Sequence, residues 1–146
     1  MSDWVYKGKK WDPPKEELEK WCGFVYVVTD TSTGMKYIGK KTIWSKVTKP
    51  PLKGKTRKRR SLKESDWKTY CGSSEAVKLI VEENGLDHFK REIIHLCKSK
   101  GVMSYMECYE QMTTHALLKP EEYHNAFFGG RINRAHLKAL TPEDFT

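Results

Sequence analysis

Two tyrosines eleven residues apart, Tyr26 and Tyr37, sit on a short stretch that runs straight into Lys40 and Lys41. Phenols and ammonium groups held together could bind a phosphate and exchange a proton beside it. A free phenol ionises near pH 10, too high for a base at neutral pH, but nearby cations favour the phenolate and lower that value. The two lysines open the most basic segment of the chain. Between Lys36 and Lys68 there are 13 Lys or Arg against two acids, Glu64 and Asp66, a local net charge of +11. The other residues carry 14 basic and 17 acidic side chains, a net of −3. Positive charge gathered into one segment is the electrostatic footprint of a phosphate-backbone partner, whereas the same charge spread evenly says little. A solvated basic loop also explains the charge, and Lys55 to Arg60, KTRKRR, fits a nuclear-localisation-type run.

The elements that must position these groups can be read from the pattern around them. Gly23 to Lys41, GFVYVVTDTSTGMKYIGKK, reads as a β-hairpin. Phe24 to Val28 is a run of β-branched and aromatic residues, and Asp30 to Gly34 supplies turn chemistry. Residues 1–21 form a polar arm whose Trp4, Trp11 and Trp21 pack it onto the domain, with a short helix in KEELEKW after Pro13-Pro14. Lys40 to Lys68 sustains no period and reads as a long irregular insertion, of the kind that is usually functional or disordered. Ser73-Ser74-Glu75 opens a helix that Gly85 ends. Phe89 to Cys97 is a strand candidate. Met103 to Leu118 reads as a second helix, with Val102, Met106, Tyr109, Met112 and Ala116 on its core-facing stripe. Residues 119–146 read as loop, with one short helix around Ala135 to Leu140. The order predicts a small α+β domain.

Length and composition bound the rest. A chain of 146 residues with mean hydropathy −0.73 is expected to be one soluble domain. No run approaches the roughly 18 apolar residues of a membrane span and no secretory apolar core is present, so a cytoplasmic location is expected. The four cysteines, Cys22, Cys71, Cys97 and Cys108, form no CxxC and read as reduced core thiols. The five histidines lack metal-ligand spacing, and His124 is the best placed of them because it adjoins Asn125.

With FVY followed by YIG, the hairpin resembles the signature of the GIY-YIG nucleases. Glu110, in YEQM on the second helix, is similar to that family's metal-binding glutamate, and Asn125 in YHNAF to its asparagine. The resemblance covers roughly residues 23–130. It implies a sheet of about three strands, antiparallel or mixed, flanked by helices. It divides the chain into an arm (1–22), a nuclease domain (23–130) with a basic insertion (40–70), and a tail (131–146). One departure stands out: the family's arginine after YIG falls on Val47, so its role passes to Lys40, Lys41, Arg57, Arg59 or Arg60.

The resemblance also implies a metal-dependent endonuclease on double-stranded DNA, host-cytosolic if phage-encoded, as in the family's stand-alone nucleases of phages and mobile elements. Mg²⁺ (or Mn²⁺) would be held by Glu110, since a hard cation keeps most of its waters and needs only one or two carboxylates. Glu107, one turn back, assists through water at most. Tyr26 is the general base, Tyr37 orients or binds phosphate, and Lys40, Lys41 or an insertion arginine stabilises the growing charge. Asn125 braces the glutamate helix or a loop. Lys46, Lys53, Lys55, Arg57, Lys58, Arg59 and Arg60 track the duplex, and a double-strand break implies a homodimer on DNA. Two other readings stand beside this one: an inactive DNA- or RNA-binding module, and a protein without a nucleic-acid partner whose loop is merely solvated.

Overall fold

The structure, a computed structural model, describes residues 3–57, 59–125 and 139, leaving aside the side chains of Arg59 and Arg60. The helix expected around residues 135–140, the tail from 131 (Ala139 apart), His136, and the phosphate-binding roles of Lys58, Arg59 and Arg60 lie outside the described residues.

A five-stranded mixed sheet forms the body. Its strands are β1 (Trp4–Tyr6), β2 (Lys9–Lys10), β3 (Gly23–Asp30), β4 (Lys36–Thr42) and β7 (Phe89–Cys97), in the spatial order β2-β1-β7-β3-β4. The β3–β4 hairpin turns because the Asp30 carboxylate accepts from the Ser32 amide (3.0 Å) and hydroxyl (2.6 Å), while Gly34 takes φ of 78°. Register then places Tyr26 opposite Gly39 and Val28 opposite Tyr37.

Each face of the sheet buries one set of alternating side chains. Val25, Ile38 and Cys97 pack under α3 (Lys100–Thr113), against Val102, Met103 and Met106. Phe24, Tyr26, Val28 and Ile93 pack on the other face with Trp4, Trp67 and Val77, the last from α2 (Glu75–Asn84). A four-residue helix, α1 (Lys15–Leu18), leads into β3. Cys71 and Cys97 are buried free thiols, pushed up to about 11 and about 12, so they stay protonated and unreactive.

Three expectations need correction. The arm is not an appendage to a three-stranded sheet: β1 pairs parallel with β7, Trp4 opposite Arg91, and β2 extends the same sheet. The insertion is not irregular either. β5 (Trp44–Lys49) and β6 (Arg59–Glu64) pair antiparallel as a separate two-stranded ribbon. The second helix starts earlier than expected and stops at Thr113, where His115 turns left-handed (φ 56°) before a 3-10 turn at Ala116–Leu118. Met112, placed on the core stripe, is consequently 58% exposed.

Candidate active site

Strand β4 organises the charged groups because its side chains alternate between the two faces. Tyr37 and Lys41 lie on the face of Tyr26, and Ile38 and Lys40 on the face of α3. The Tyr26 ring lies directly over Gly39. A Cβ on Gly39 would collide with the Tyr26 hydroxyl and stand 2.6 Å from its Cζ. The glycine of YIG is therefore the gap through which this phenol reaches the β4 edge.

Around Tyr26 the surroundings are aromatic. Tyr37 (ring centroids 6.3 Å apart) and Tyr70 (6.0 Å) flank it, and its hydroxyl is buried without a hydrogen-bond partner. Burial first, then the neighbouring Tyr70 and Tyr37 phenols, hold its pKa well above the ordinary tyrosine value. That runs against the sequence expectation of a phenol lowered by Lys40 or Lys41: in the free protein Tyr26 is neutral. Tyr37 is also raised, mainly by burial, and its hydroxyl shares a 2.9 Å hydrogen bond with Ser73.

The lysines occupy different niches. Lys41 sits 4.1 Å above the Tyr70 ring and pairs with Asp66 at 2.6 Å. Lys40 donates to the Ser104 hydroxyl of α3 at 2.8 Å. One turn along that helix is Glu107, half-buried and raised by burial, with the Lys40 charge pulling it back. The Glu107 charge is close enough to raise both Tyr26 and Tyr37.

Glu110 is placed otherwise. Its carboxylate lies 2.7 Å from His95 Nε2 on β7, beneath the central face of the sheet. A bulge in β7 produces that contact, since register slips between Val25 opposite His95 and Tyr26 opposite Ile93. Of the two helix carboxylates, then, Glu107 is near enough to act electrostatically on the tyrosines and on Lys40, and Glu110 lies against a histidine. Among the described residues no three His, Cys, Asp or Glu side chains converge on one point.

Asn125 arrives on a short segment beside β4. The Lys36 amide donates to the Glu122 carbonyl, and the His124 amide to the Lys36 carbonyl, both at 2.8 Å. The Asn125 side chain then accepts from the Ile38 amide (2.9 Å) and donates to the Ile38 carbonyl (2.7 Å). Asn125 thus braces the YIG strand rather than the glutamate helix. His124 is held below its ordinary value by burial and lies at the turn end of the hairpin, near Asp30.

Of the described insertion residues, Lys46, Lys53, Lys55 and Arg57 are all exposed. Arg57 lies in the connection between the ribbon strands, a six-residue strand or about 20 Å from the ribbon's base. Lys41, over the Tyr70 ring, is a cation seen against one of the phenols. Three contributors carried no motif in the sequence: Tyr70, Ser73 and Arg91. Arg91 is buried in the sheet and donates from Nη1 to the Lys68 and Tyr70 carbonyls (2.9 Å each), fixing the loop that carries Tyr70. For Tyr70 and Ser73 the signal was SDWKTYCGSS, a polar loop with two bulky aromatic residues; Arg91 sits in the strand run FKREIIHLC.

Residues 4–132 match the family model described as "Putative endonuclease segE, GIY-YIG domain". No curated protein and no solved structure matches the chain.

Proposed function

The chain belongs to the GIY-YIG nuclease family, and from that premise we propose that it hydrolyses phosphodiester bonds of DNA at the β4 edge, with Glu107 rather than Glu110 as the metal-binding carboxylate. One observation carries this reading. The buried hydroxyl of Tyr26, beside the Tyr70 phenol, lies close enough to Glu107 to feel its charge, whereas Glu110 is already engaged by His95.

A single half-buried carboxylate fits Mg²⁺ or Mn²⁺, which when bound would supply Lewis acidity and positive charge beside the phenols. The remaining work belongs to side chains. Tyr26 orients the attacking water and accepts its proton once positive charge has lowered its pKa. Tyr37, fixed by Ser73, borders the phosphate. Lys40 neutralises charge growing on the phosphoryl oxygens, standing in for the family arginine. Lys41 positions Tyr70. Asn125 holds the strand that carries all of them.

The raised Tyr26 pKa favours one rival, an inactive DNA- or RNA-binding module. Incubation with supercoiled plasmid and Mg²⁺ decides between them. The protein should cut; Glu107→Gln and Tyr26→Phe should each slow cutting by about 100-fold or more, and Glu110→Gln should keep most of the rate. A large loss in Glu110→Gln with little in Glu107→Gln would return the metal to Glu110. Salt-sensitive binding without any cutting would establish the rival.

A further inference from the structure

The β5–β6 ribbon forms a sheet separate from the one that carries the tyrosines. Among the described residues its strands pair only with each other, in register from Trp44 opposite Glu64 to Lys49 opposite Arg59. Its base is tied down: the Ser65 amide donates to the Ile43 carbonyl (2.7 Å), and the Trp44 indole to the Trp21 carbonyl (3.1 Å). Residues 44–64 hold nine Lys or Arg and a single acid, Glu64. Lys46, Lys49, Lys53, Lys55, Arg57 and Lys63 are exposed.

Charge alone would suit any phosphate surface. A second feature narrows the choice. Leu62 is 65% exposed and faces the same way as its register partner Lys46, while Val47 and Ser61 on the reverse face are half-buried. A large aliphatic side chain amid cations gains nothing from phosphates. Thymine presents a methyl group in the major groove, beside base-edge acceptors that a lysine can reach. A two-stranded ribbon fits that groove, which is about 12 Å wide.

We propose that the β5–β6 ribbon enters the major groove of duplex DNA, with Lys46 and Leu62 toward base edges and Lys53, Lys55 and Arg57 on flanking phosphates. The proposal rests on the reading of DNA as the substrate, but it concerns binding and not hydrolysis. The ribbon would choose where on the duplex the β4 edge is brought to bear.

Binding of a 30-base-pair duplex by the full chain in EDTA tests it without any cutting. The joint variant Lys53→Ala, Lys55→Ala, Arg57→Ala should flatten the dependence of log affinity on log salt by about 2 to 3, near 0.9 per lost phosphate contact. Lys46→Ala with Leu62→Ala should lower affinity by about 10-fold or more at fixed salt. Methyl green, a major-groove ligand, should displace the protein, and distamycin, which fills the minor groove, should not. Thermal melts of each variant should match the parent, because every altered side chain is exposed. Displacement by distamycin alone, wild-type binding by both sets of variants, or equal affinity for an RNA duplex would overturn the ribbon's role. Cutting with ribbon-independent binding fails this proposal alone, whereas ribbon-dependent binding without cutting fails the nuclease reading alone.

Discussion

Glu107 and Glu110 differ by three positions, nearly one turn, and yet they look in different directions. Both are half-buried on α3, and the helical period alone puts them on neighbouring faces. Only the way α3 leans on β4 assigns Glu107 to the tyrosines, and that tilt depends on Val102, Met103 and Met106 packing over Val25 and Ile38. The hairpin that carries the tyrosines and lysines was legible because a hairpin fixes its own register; the direction in which each helix carboxylate points was not, because helix phase relative to a sheet is a tertiary outcome. Glu107 also carries a cost. Burial raises its pKa, so the folded chain favours the neutral acid, and the stability this gives is fully present below the ordinary carboxylate range. It is lost as pH rises through the raised value. Glu107→Gln removes that loss. Thermal melts should show the variant more stable than the parent at pH 7.5 and indistinguishable from it at pH 4, alongside the fall in cutting. An equal gain at both pH values would point to packing rather than ionisation.

At the scale of elements, β4 is the edge of the main sheet and carries YIG, and exposed edges invite wrong pairing. Asn125 meets that problem with an amide that imitates one peptide unit of a neighbouring strand, donating and accepting at Ile38. Removing it strands two buried backbone groups. Asn125→Ala should therefore cost roughly 2–4 kcal/mol of stability, read from urea unfolding, with the Ile38 amide exchanging hydrogen faster than in the parent. Unchanged exchange at Ile38 would mean that another group covers the edge. The sequence placed α2 and β7 well, since each buries one face and so shows a period, with Gly85 closing the helix. The ribbon escaped notice for the opposite reason. Ser45, Lys46, Thr48, Lys49 and Lys63 are polar on both faces, so no alternation marks those strands. The arm's tryptophans pack onto the domain as expected, but its strands were missed because β1 and β2 are three and two residues long, too short to show a pattern.

For the molecule as a whole, that short arm proves to be central. The Trp4 ring lies edge-on to Phe24 (4.9 Å) and Tyr26 (5.5 Å), with the Arg91 guanidinium 4.7 Å from its centroid. Its indole donates to the Trp67 carbonyl at 2.7 Å, and Trp67 in turn donates to Glu64 at the foot of the ribbon (2.8 Å). One N-terminal residue thus touches β3, the loop carrying Tyr70 and, through Trp67, the ribbon's base. No helix among the described residues is long and apolar enough to cross a membrane. Trp4→Ala should cost about 3–5 kcal/mol, a large share of the 5–15 kcal/mol typical of a domain. Trp4→Phe keeps most of the packing and loses the bond to Trp67, so it should cost about 1–2 kcal/mol. Urea unfolding followed by far-ultraviolet circular dichroism measures both. If Trp4→Ala unfolds at the parent's midpoint, residues before 23 are an appendage to the nuclease domain. A loss of the expected size makes them part of its core, and the cutting rate should then fall even where the variant remains folded, because Tyr26 and Tyr70 lose the wall that sets their spacing.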